Sequence, residues 1–132
     1  MNTEEINLEE SKILNVCKDL ASGNWHKYWS ENSYLIRPSG NPLTKEDDQN
    51  MRSNSDLVIK KEEFVKMNDI KIYSEIVYAC FTVHQIFSYK GTENDDISVV
   101  IVLLKKDNTS YKLVGGSRSQ GRSPSDKLPV FN

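Results

Sequence analysis

The 132-residue chain predicts an α+β domain, and three observations carry that prediction. Apolar residues recur at three- and four-residue spacing near the N-terminus but at two-residue spacing from Leu57 onward. Helical patterns therefore come first and strand patterns afterwards, which sets helices on one face of a sheet. The connections between the strand patterns are short, so neighbouring strands pair antiparallel.

The stretch from Thr3 to Ala21 places Ile6, Ile13, Val16, Cys17 and Leu20 on one stripe with Glu and Lys between them, an amphipathic helix. Two start signals compete, Asn2 with Glu5 and Asn7 with Glu10, each a polar cap with a glutamate three residues on, while Gly23 is the stop. Asn24 then caps a short second helix in "NWHKYWSEN", which puts Trp25, Tyr28 and Trp29 on one face. Three large rings on one face must cover something apolar. "SYLIR" alternates as a first strand and breaks on Pro-Ser-Gly-Asn-Pro. Thr44 caps a third helix, "TKEDDQNMRSN", whose Glu46, Asp47 and Asp48 fall in the first turn, where the helix dipole favours them. No histidine lies near these acids in sequence, so they read as dipole compensation or a solvated face, and no metal site is expected.

Four strand-rich stretches follow: "LVIKKEEFVKMNDIKIYS", "EIVYACFTVHQIFSYKG", "DDISVVIVLLKKDN" and "TSYKLVGGSRSQGR". Lys90-Gly91 and Asp107-Asn108 separate them, with a weaker break near Ser74, and Lys60 to Lys66 is compatible with a brief helical turn instead. In the second stretch Val77, Ala79, Phe81, Val83 and Phe87 form one strongly apolar face interrupted by Gln85. Tyr78, Cys80, Thr82, His84 and Ile86 form the other, and the third stretch is apolar on both parities as well. The helices of this chain cover one sheet face only. A second subunit over the face bearing Tyr78, Cys80, Thr82, His84 and Ile86 is the economical cover for the other, and a homodimer is expected.

Length and mass, 15.1 kDa, fit one domain; residues 1–122 are assigned to it and 123–132 to a tail. A net charge of -2 removes long-range attraction to nucleic acid. No apolar run approaches the roughly 20 residues of a membrane span. The acidic "MNTEEINLEE" start lacks a basic region followed by an apolar stretch, which predicts a cytoplasmic location. Cys17 and Cys80 stand alone in apolar surroundings and read as buried small hydrophobes.

The order of these elements, with "SGNWHKYW", "SYLIRPSG" and the closing "TSYKLVGGSRSQGR", resembles the nuclear transport factor 2-like superfamily over nearly the whole chain. The resemblance implies a curved antiparallel sheet wrapped around the N-terminal helices as a cone with an internal pocket, and dimers through the outer sheet face. Members range from ketosteroid isomerases, polyketide cyclases and dehydratases to noncatalytic transport and association domains, so the fold leaves the function open. Tyr111 stands where the superfamily often has Trp, and Gly115 and Gly116 either widen the pocket or simply remove side chains used there for chemistry.

Within such a cone Trp25, Tyr28, Trp29 and Tyr34 would line the opening, and Arg37 would offer a fixed cation for a carboxylate or phosphate; a surface ion pair with Glu46, Asp47 or Asp56 is the competing reading of that arginine. His26 and His84 have no sequence-local partner for acid/base work, and Arg118, Arg122 and Lys127 sit among serines near the end. Two functions follow. One is a noncatalytic dimeric module that binds a small hydrophobic or carboxylate-bearing molecule, or another protein, without a cofactor. The other is an acid/base isomerase, dehydratase or cyclase, which needs a polar residue of shifted pKa inside the cone.

Overall fold

The computed structural model describes residues 1–125. Most of the expected tail, Lys127 included, lies outside the described residues. Helix α1 spans Thr3–Ala21, and of the two competing start signals Asn2 is used: its side chain accepts from the Glu5 backbone N–H at 2.9 Å. Ile13, Val16, Cys17, Leu20 and Ala21 are buried along α1, whereas Ile6, near the N-terminal end, is exposed. Gly23 takes the left-handed conformation (φ 89°) just past the helix end, where its N–H bonds to the Leu20 carbonyl at 3.0 Å.

The expected second helix is a single 3₁₀ turn, Trp25–Lys27, with no side-chain cap from Asn24. The short strands β1 (Tyr34–Ile36) and β2 (Pro42–Thr44) bracket the Pro-Ser-Gly-Asn break. Helix α2, Lys45–Ser53, starts on a reciprocal capping box between Thr44 and Asp47. Then come β3 (Leu57–Tyr73), β4 (Ile76–Tyr89), β5 (Thr92–Asp107) and β6 (Ser110–Arg118). Lys60 to Lys66 is strand throughout, not a helical turn.

The sheet runs β2-β1-β6-β5-β4-β3. The four long strands pair antiparallel, but β1 pairs β6 in parallel through Leu35 with Gly116 and Ile36 with Ser117. The sheet is therefore mixed and not closed, a departure from the fully antiparallel expectation. The chain reaches β6 from β1 only after α2 and three long strands, so nothing forces a hairpin relation between them. Three register shifts in β3 bend that strand around the core.

One cluster fills the concave side: Ile13, Cys17 and Leu20 of α1 against Val77, Ala79 and Phe81 of β4 and Val102 of β5. Phe64 of β3 stacks on Phe81 with ring centroids 6.0 Å apart. Burial pushes the Cys17 thiol up to about 12, which makes it a packing residue and not a nucleophile. Among the described residues no helix is long and apolar enough to cross a membrane.

Candidate functional site

Between the helices and the concave sheet face lies a cavity of about 520 Å³, within the range typical of small-molecule sites. Its apolar wall comes from Leu20 and Ala21 at the end of α1, from Trp25 and Trp29, and from Phe81 and Val83 of β4. The two indole rings lie 5.9 Å apart at 37°. Trp29 is held by the chain around it: its N–H bonds to the Trp25 carbonyl at 3.1 Å, and it bridges Leu113 of β6. Its indole Nε1 is buried without a hydrogen-bond partner.

The polar wall is a row of charged and amide groups contributed by five elements. From α2, Asp48 is buried, and Arg52 one turn later places Nε 3.2 Å from both its carboxylate oxygens. Arg52 also approaches Glu62 of β3 at 3.8 Å. The Glu62 side chain is only 7% exposed, and it fits because position 23 is glycine: a Cβ there would collide with Glu62 Oε2. Burial raises the Glu62 pKa above the usual carboxylate range, against the opposing pull of Arg52 and a hydrogen bond from Gln85. Gln85 lies directly across from Glu62 on β4 and from Asp96 on β5. Arg118, at the end of β6, lies 4.0 Å from Asp96, and its guanidinium sits 5.4 Å from the centre of the Phe87 ring. Glu62 Oε1, Gln85 Oε1 and Arg118 Nε are all buried without a hydrogen-bond partner among the described residues. Buried polar groups are nearly always paired, so orphaned donors and acceptors on one cavity set this wall apart from the packed core.

Arg37 lines the same cavity beside Pro38 and Ser39. Its guanidinium meets the carbonyls of Asn41 and Pro42 at 3.4 Å and Met51 Sδ at 4.0 Å. Among the described residues it makes no ion pair, with Glu46, Asp47, Asp56 or any other acid.

Of the expected aromatic lining, Trp25 and Trp29 face the cavity and two residues do not. Tyr28 is buried in the core, where its hydroxyl donates to Asp19 Oδ2 at 2.6 Å; the 3₁₀ turn rotates it away from the tryptophans that regular helical spacing would have aligned with it. Tyr34 is half exposed because β1 alternates, and it is Leu35 that points inward. A carboxylate in contact with a tyrosine, as in the Tyr28 and Asp19 pair, thus exists off the cavity. Gly115 and Gly116 do not widen the cavity. Gly116 sits where a Cβ would collide with the Ile101 carbonyl, so it permits close approach of β5, β6 and β1.

The expected dimer contacts Tyr78, Cys80, Thr82, His84 and Ile86 lie on the outer sheet face and differ in burial. Cys80 and Thr82 are already buried inside one chain, because Asn68 of β3 exchanges hydrogen bonds with Thr82 at 3.0 and 3.2 Å and covers both. Tyr78, His84 and Ile86 remain partly open, and His84 Nε2 lies 2.6 Å from Asp95 on β5. His26 is exposed and lies off the cavity.

A sheet folded around helices with the cavity inside defines a nuclear transport factor 2-like protein, and the comparisons agree. A solved structure of a nuclear transport factor 2-like protein of unknown function from Prochlorococcus marinus is 31% identical, with a TM-score of 0.73 over 93% of this chain and 96% of that one. Within the neighbourhood are a ketosteroid isomerase-like protein from Erwinia carotovora, 14% identical with TM-score 0.59 over 93% of this chain and 100% of its own. A type 2 hexachlorocyclohexane dehydrochlorinase is 8% identical, with TM-score 0.67 over 97% of this chain and 98% of its own. Both are likenesses of fold alone, as are those to proteins described as cystatin-like. The chain belongs to DUF3804, a family of proteins of unknown function, whose pattern matches residues 7–127. No curated protein matches it.

Proposed function

We propose that the cone is a binding site for a small molecule with an apolar, flat body and a carboxylate. One observation carries this reading: Arg37, a cation with no acidic partner among the described residues, lines the same cavity as Trp25 and Trp29. Arg52 is neutralised by Asp48 and Glu62, and Arg118 faces Asp96, so Arg37 is the charge left for a ligand. The indoles supply planar apolar area for the ligand's body. Thermal shift is the test, because a ligand that binds only the native state raises the melting temperature. Aryl and cycloalkyl carboxylates are expected to raise it, and their primary amides are not; equal shifts from acids and amides would remove the role of Arg37.

A second reading rests on Glu62. A buried carboxyl with a raised pKa beside a small-molecule cavity is what proton transfer within a ligand requires. Solvent deuterium appearing in a bound carboxylate, and disappearing in Glu62→Gln with binding retained, would favour an isomerase or lyase over a binding module.

We further infer that the outer face is covered by a second copy of the chain. Leu103 and Val114 there are 39% and 43% exposed, and Ile101 and Val99 lie partly open between them and His84.

A further inference from the structure

The carboxylate reading accounts for Arg37 but leaves the deep polar wall unexplained. Three buried atoms on that wall have no hydrogen-bond partner among the described residues: one donor, Arg118 Nε, and two acceptors, Gln85 Oε1 and Glu62 Oε1. The acceptors belong to residues that pair directly across β3 and β4. Asp96, the cross-strand partner of Gln85, is also the acid 4.0 Å from Arg118, which places the donor in the same neighbourhood. Glu62 Oε1 is 3.8 Å from Arg52, close enough to feel its charge and too far for a hydrogen bond.

A group that both accepts and donates suits such a wall. A hydroxyl has one hydrogen to give and two lone pairs to receive with, whereas a carboxylate only accepts and an ammonium only donates. A second carboxylate would also face Asp48, Glu62 and Asp96 together, and a second cation would face Arg52 and Arg118. We propose that the ligand is a hydroxy acid: its carboxylate meets Arg37 at the rim, and a hydroxyl at its far end accepts from Arg118 and donates to the Gln85 and Glu62 pair. The proposal deepens the carboxylate reading and rests on it. The deep wall then sets specificity, since a site built to bond a hydroxyl discriminates against the analogue that leaves its groups unpaired.

Isothermal titration of the full chain with 3-phenylpropanoate and its three ring-hydroxylated isomers separates the two claims. The best hydroxylated isomer is expected to bind at least about tenfold more tightly than the parent acid, the scale of one well-placed hydrogen bond. Gln85→Leu is expected to abolish that advantage, the hydroxylated acid then binding the variant no more tightly than 3-phenylpropanoate binds the same variant. Gln85→Met serves the same purpose if the leucine variant does not fold. Equal affinity for all four acids, or an advantage that survives both Gln85 variants, overturns the hydroxy-acid proposal and leaves the carboxylate site standing. Binding of none of them contradicts the carboxylate site and the proposal together.

Discussion

At residue scale the position that departs furthest from its surroundings is Glu62, an acid enclosed by Gly23, Arg52 and Gln85. Its raised pKa fixes the sign of its effect on stability. From the ordinary carboxylate value of about 4.3 upward, the unfolded chain has released a proton that the folded chain still holds at Glu62. Stability therefore falls as pH rises through the window between the unfolded and folded values, and the loss is complete above it. Glu62→Gln cannot ionise, so the unfolding free energy of the parent relative to this variant should decline through the window and level off beyond it. Denaturant unfolding from about pH 4 to about pH 8 checks this; a difference that stays constant, or grows with pH, would show that Arg52 outweighs burial. Part of this site was legible in the sequence. Gln85 interrupts an otherwise apolar strand face, and an amide in such a place signals a polar partner inside. Asp48 was not legible, since an acid in the first turn of a helix is accounted for by the dipole whether or not it is buried.

At the scale of elements, β-bulges separate what the sequence shows from what it hides. In β3 the inward residues are Leu57, Ile59, Glu62, Phe64, Met67, Ile70 and Ile72, with three-residue steps where the register shifts. Those steps imitate helical spacing, which is why Lys60 to Lys66 reads ambiguously and why simple alternation cannot place Glu62. A register shift in β6 does the same for Arg118: Leu113 pairs Leu104, Gly116 pairs Val102, and Arg118 pairs Val100, all on the inner face. Alternation counted from Leu113 would turn Arg118 outward, away from the cavity it lines. Strand β4 has no such shift against β5, and its two faces were read directly from parity. Gly116 tests the packing of these strands. Gly116→Ala must push a Cβ against the Ile101 carbonyl and the Leu35 side chain, and should cost about 1–3 kcal/mol, the usual range for overpacking. Unchanged thermal stability would mean that β6 can shift away from the β5 backbone, and Leu35 with it, without loss.

For the whole molecule, the cone has one face turned to its own helices and one turned outward. Light scattering after size exclusion should give twice the 15.1 kDa chain mass, and Leu103→Glu should return it to a single chain by burying like charges across the two-fold axis. A mass of 15.1 kDa for the parent would mean the outer face is left to solvent. Thr82 is unsuited to that test, because a glutamate there would break the Asn68 hydrogen bonds inside one chain. The central claim concerns the other face. The chain has 2 tryptophans and both line the cavity, so fluorescence excited selectively at tryptophan reports on that site. A fluorescence titration with 3-phenylpropanoate is the most direct test, run on the parent and on Arg37→Met. The account predicts a saturable change in the parent and binding weakened by about 1–3 kcal/mol in the variant, the range for hydrogen bonds to charged groups; no saturable change in the parent, or equal affinity in both proteins, would contradict it.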